Sequence, residues 1–113
     1  TYMDQLREVI RFSRIDLNMP VIVVTPIWRG DHAVSKPHAD GGSYTLAQWR
    51  YFTAGVAYEE AAKPGHFVSV IDGYQSPVIP SDFVADQIHL NESGHNKFAP
   101  WLVQQMQNIG YWL

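Results

Sequence analysis

The hydrophobic and polar positions of this chain change period several times, and each change marks an element. Met3, Leu6, Val9 and Ile10 recur at helical spacing, with Asp4, Arg7, Glu8 and Arg11 between them. That pattern predicts an amphipathic helix over roughly residues 2–14. Pro20 then pushes its neighbour out of the helical region. The unbroken β-branched run Val21-Ile22-Val23-Val24 follows, as expected of a strand covered on both faces in a parallel sheet. Residues 26–44 lack periodicity and contain Pro26, Gly30, Pro37, Gly41 and Gly42, which predicts a long loop.

Periodicity returns at Leu46, Trp49, Phe52 and Val56. The preceding Thr45, with Gln48 three residues on, forms a capping-box pattern. Glu59 and Lys63 are spaced as a helical ion pair, and Lys63-Pro64-Gly65 ends the helix. Phe67 to Ile71 reads as a second strand, closed by Asp72-Gly73. After a stretch carrying Pro77 and Pro80, Asn91 stands as an N-cap before Phe98, Leu102, Met106 and Ile109, with Gly110 as the stop. Pro100 lacks the amide that would bond to Asn96, so a kink or a late start is expected in this last helix.

The order is helix, strand, helix, strand, helix, an α/β arrangement containing one right-handed βαβ unit. Two interior-type strands alone make a sheet that is all edge. Further strands are therefore expected from the remainder of a longer parent chain or from a second copy, with self-association or poor folding of the isolated chain. The sequence opens at Thr1 without a start methionine or a signal-peptide pattern, in keeping with a fragment or a processed product.

At 113 residues the chain is sized for a single α/β domain, residues 1–113. The formal charge of −3 and the scattered Lys and Arg residues leave no basic patch for nucleic acid. No apolar run approaches the roughly 20 residues of a membrane span. The absence of cysteine removes disulfides, thiolate metal ligands and a cysteine nucleophile.

The chemistry concentrates in Asp86-Gln87-Ile88-His89-Leu90-Asn91-Glu92-Ser93-Gly94-His95. A carboxylate three residues before a histidine can hold the near ring nitrogen, leaving the far one to accept a proton. Asp86-x-x-His89, followed by Leu90-Asn91-x-x-Gly94-His95 and an amphipathic helix, resembles the last conserved block of the SGNH (GDSL-type) serine hydrolases. The upstream order is similar too: a strand running into Thr25-Pro26, a long loop, a helix, and a strand ending at Asp72.

The resemblance implies the carboxyl-terminal half of a flavodoxin-like three-layer α/β/α hydrolase. It also implies a small-molecule ester substrate, an acyl-enzyme route and no cofactor. His89 would be the general base and Asp86 its orienting acid. The chain departs from the family in having neither Gly-Asp-Ser nor Gly-x-Asn-Asp, so the nucleophile and the oxyanion donors are missing. The isolated chain is accordingly expected to be inactive. Ser43, after Gly41-Gly42, reads as a turn or helix cap.

Two other readings follow from the residues. In one, Asp86 and His89 are structural and the chain is a non-catalytic α/β binding or assembly module. In the other, Asp31, His32, His38 and Asp40 of the long loop hold a divalent metal. Trp28, Tyr44, Trp49 and Tyr74 fall near the predicted carboxyl ends of the strands, where they either line a ligand pocket or fill the core. Arg29 suits an acidic substrate group or solvent, and His95 is expected as a surface or packing residue and not as a ligand.

Overall fold

A computed structural model describes residues 1–65 and 67–110. Helix α1 (Tyr2–Arg11) starts at Thr1, whose hydroxyl accepts from the Asp4 amide, and runs directly into a π-helical turn over Phe12–Asp16. Its inward stripe is Tyr2, Leu6, Ile10 and Arg14, whereas Val9 stays exposed. The wider π turn swings Arg14 inward, where its guanidinium donates to the Met19 carbonyl at 2.7 Å and the Gly65 carbonyl at 2.9 Å.

Strands β1 (Val21–Val24) and β4 (Val68–Ile71) pair in parallel, Val21 against Val68 through Val24 against Ile71. The loop after β1 is less irregular than its sequence suggests. Lys36–Pro37 (β2) and Ser43–Tyr44 (β3) form a short antiparallel pair. Ser43 therefore lies in a strand, and the cap of α2 (Leu46–Ala61) is Thr45, with both reciprocal bonds of the capping box made to Gln48.

The core gathers Ile10 of α1, Val23 of β1, Val56 and Ala57 of α2, and Val68 of β4. These come from one face of the strands, so α1 and α2 form a layer over that face. Ion pairs lock the layer. Arg7 reaches Glu59 at 3.0 Å, while the fully buried Glu60 carboxylate takes Arg11 at 2.5 Å and Lys63 at 2.6 Å. Lys63 thus pairs with Glu60 and not with the expected Glu59, because Glu59 turns toward α1.

Helix α3 (Glu92–Ile109) is continuous from its Asn91 cap to a left-handed Gly110, with Pro100 inside it. The late start is not observed, because Asn91 and the preceding turn supply the first-turn partners that begin the helix at Glu92. Gly94 is its one buried residue, while Phe98, Trp101, Leu102, Met106 and Ile109 stay half-buried. The helix packs chiefly on the 3₁₀ turn Pro80–Asp82.

The extents are 43 × 42 × 19 Å and the radius of gyration 15.3 Å. A compact chain of this length would have a radius near 13 Å. The architecture is α/β with a parallel two-stranded sheet whose outer edges carry no further strand among the described residues. No described helix is long and apolar enough to cross a membrane.

Candidate active site

Asp86 and His89 sit at the tip of a tight hairpin made by residues 82–91. Phe83 and Leu90 form an antiparallel bridge, Val84 N–H donates to the His89 carbonyl at 2.9 Å, and Asn91 N–H donates to the Asp82 carbonyl at 2.8 Å. The Gln87 amide closes the turn onto the Val84 carbonyl at 2.9 Å, and Gln87 adopts a left-handed φ of 60°. A non-glycine residue in that region carries strain that the surrounding bonds must hold.

The Asp86 carboxylate does two things at once. Its Oδ1 accepts from the amides of Ile88 at 2.8 Å and His89 at 3.0 Å. Its Oδ2 lies 2.6 Å from Nδ1 of the His89 ring. The His89 amide, the imidazole and the Ile88 amide together hold this carboxyl at about 2, below its ordinary 3.8. An ionised carboxylate only accepts hydrogen bonds, so Nδ1 carries a proton, and in the neutral ring Nε2 is the acceptor. The ring is open to solvent, at 76% exposure. An acceptor Nε2 backed by a carboxylate is what a general base requires.

The base of the hairpin is fastened to α3. Buried Asp82 accepts from Ser93 Oγ at 2.7 Å, Lys97 Nζ at 2.8 Å and the Ile79 amide at 2.8 Å. Lys97 is the leading cause of its carboxyl falling to about 2. Asn91 caps α3 through the Gly94 amide at 3.0 Å, and its amide nitrogen donates to the Ser81 carbonyl at 2.8 Å. Gly94 packs so closely on the Asp82 carbonyl that a Cβ there would collide with backbone. Sequence reading missed Asp82. Its signal was an acid four residues ahead of Asp86, with Ser93 and Lys97 spaced one helical turn apart.

The loop after β1 leans on this hairpin. Trp28 packs its ring on Phe83, centroids 6.0 Å apart, and on His32 at 5.3 Å. Gly30 lies flat against Gln87, whose side chain fills the space of a Cβ. Asp31 pairs with Arg29 at 3.0 Å and with Lys36. His38 lies 3.4 Å from Asp40, which is also bonded to Tyr44. No three His, Asp or Glu side chains converge on a common point among the described residues. Asp31, His32, His38 and Asp40 are thus not brought together as ligands. Tyr2, Tyr44, Trp49 and Phe52 form an edge-to-face aromatic cluster. Two of the four aromatics considered for a ligand pocket therefore pack on one another.

At the carboxyl ends of the strands Asp72 takes Arg50 in a two-pronged pair, Nε to Oδ1 at 2.9 Å and Nη2 to Oδ2. It also accepts from the Tyr74 amide at 3.1 Å and from Thr25 Oγ1 at 3.2 Å. Arg50 is the main cause of its carboxyl lying at about 2, and stacks over Tyr74 at 4.5 Å.

No family model matches the sequence, and no curated protein matches it. Among solved structures the chain is similar to the salicylyl-acyltransferase SsfX3 from a tetracycline biosynthetic pathway, with a TM-score of 0.67 at 18% identity. The match covers 96% of this chain and 33% of that one. The likeness is one of fold, and the chain spans about a third of that protein's length.

Proposed function

We propose that this chain carries the acid–base half of a serine ester-processing site of the SGNH type, with Asp86 orienting His89 as general base. The observation that carries the reading is the single Asp86 carboxylate bonded to the His89 amide and to Nδ1, with the ring otherwise open. In the proposed reaction His89 Nε2 takes the proton of a serine hydroxyl as the oxygen attacks an ester carbonyl. It then gives that proton to the departing alkoxide. In the second step it takes a proton from water, or from another alcohol, which attacks the acyl-serine, and it returns that proton to the serine oxygen as the acyl–serine bond breaks. The structural likeness to a protein named as an acyltransferase accords with either acceptor. The serine and the oxyanion donors would be supplied by polypeptide outside these residues.

Two measurements test this. Nitrogen-15 shifts of the His89 ring in the isolated chain should show the proton on Nδ1, and Asp86→Asn should redistribute it. A proton fixed on Nε2 in the wild-type chain would overturn the assignment of the base. In a longer polypeptide that joins this chain to a serine-bearing segment, His89→Ala should lower ester kcat/KM by about 10² or more. Turnover that survives the substitution refutes the proposal.

A further inference from the structure

The groove beside the outer edge of β4 has no role in the reading above. It has a volume of about 410 Å³ and lies between β4 and one side of α2. Ala47, Tyr51, Ala54 and Tyr58 line its helical wall, Val70 its floor, and Arg50 its end toward the carboxyl termini of the strands. Tyr51 is 78% exposed and Tyr58 61%, on one face of the same helix. Large aromatics rarely stand in line on a surface that meets only water.

The strand beneath has buried or half-buried side chains, but its outer backbone edge pairs with no described strand. The amides of Val21 in β1 and of Thr25 just after it donate to the carbonyls of Phe67 and Ile71 at 2.9 and 3.0 Å. In a parallel ladder alternate residues address the neighbour, so Phe67, Ser69 and Ile71 turn their peptide groups toward β1. Val68 and Val70 therefore turn their N–H and C=O groups outward. Among the described residues no strand pairs with this edge, and Val68–Ile71 contains no proline and no lysine.

From this geometry we infer that the β4 edge and the tyrosine stripe of α2 form a two-fold interface with a second copy of this chain. The edge is self-complementary. With Ser69 on the axis, Val68 of one copy stands opposite Val70 of the other in antiparallel register. Both outward-facing residues then exchange N–H···O=C bonds. Val68 and Val70 share the α2 face, so the axis also brings the two α2 stripes side by side in opposite directions. Their alternation of alanine and tyrosine lets large groups sit against small ones.

The charges permit it, because Arg50 at the groove's end is already neutralised by Asp72. On the other face of the sheet, Phe67, 64% exposed, would lie beside the second copy's Ile71. Edge β1 is a poorer candidate, since Pro20 and Pro26 bracket it and no comparable stripe overhangs it.

The area sets the strength. At about 150–250 Å² per aromatic side chain, Tyr51, Tyr58 and Phe67 offer about 400 Å² per copy. The aromatics of the pair thus bury about 800 Å², below the roughly 1,200–2,000 Å² of standard interfaces and in the range of weak, transient ones. A reversible dimer is expected, with a dissociation constant in the range of about 1–100 μM.

Sedimentation of the full chain from about 1 μM to about 1 mM should show this monomer–dimer equilibrium. Tyr51→Glu with Tyr58→Glu changes only exposed positions. It should weaken the dimer at least about tenfold while circular dichroism stays unchanged. Val70→Pro removes an outward amide without touching the β1 ladder and should act the same way. Val24→Glu, on the opposite edge, should leave association intact. A monomer at every concentration overturns the inference, as does a dimer that tolerates the tyrosine variant or is broken by Val24→Glu.

Discussion

Asp72→Asn tests how the carboxyl ends of the two strands are held together. The wild-type carboxylate ties Arg50 of α2, Thr25 after β1 and the Tyr74 amide to the end of β4. The asparagine keeps one acceptor oxygen, but it sets an amide donor against an Arg50 donor. Lowering the carboxyl from 3.8 to about 2 sets a ceiling of about 2.5 kcal/mol on its charge contribution. The Arg50 and Asp72 side chains are 37% and 28% exposed, so solvent screening reduces this to about 1–1.5 kcal/mol. Unfolding entropy scales at about 2.1 cal/mol/K per residue, so the expected loss in Tm at pH 7 is about 4–6 °C.

The folded carboxyl titrates below the unfolded one. Its contribution is therefore complete above about pH 4, about half gone at pH 3, and largely lost as pH falls through about 2. Thermal unfolding followed by circular dichroism at several pH values measures the gap between wild type and variant. A gap that stays constant down to pH 3, or no gap at pH 7, refutes the account.

Other outcomes follow from the packing. Gly94→Ala places a Cβ against the Asp82 carbonyl. It should cost about 2 kcal/mol or more in chemical denaturation and disturb the His89 ring resonances, and an unperturbed spectrum would contradict the close fit. Glu60→Ala leaves Arg11 and Lys63 without their buried partner, so urea unfolding should report a loss of about 3 kcal/mol. A loss below about 1 kcal/mol would show that solvent compensates both cations.

Local chemistry was the legible part of this chain. The Thr45–Gln48 capping box, the Asn91 cap and the Gly110 stop are each set by a few neighbouring residues. They appear in the structure where the sequence puts them. Both β-branched runs became paired strands for the same reason. The Asp86–His89 contact was readable because one turn brings the two side chains together. Features that depend on distant segments were not readable: the Glu60 node draws cations from α1 and from the turn after α2, and the Arg50–Asp72 pair spans a helix and a strand end. Helical spacing alone favoured Glu59 for Lys63, because it cannot show that Arg7 claims Glu59. The Lys36–Pro37 and Ser43–Tyr44 pair was hidden by its two-residue strands, too short to show alternation.

The acid and the imidazole of the hairpin lie three residues apart on one turn, so their distance is set by a decapeptide and not by the fit between layers. Here the carboxylate–imidazole contact is a local unit. Substitutions that soften the α1–α2 layer should change the melting temperature while leaving the Nδ1–carboxylate contact intact. A designer could accordingly vary fold stability and the acid–imidazole contact separately, or transplant residues 82–91 with their helix cap onto another scaffold.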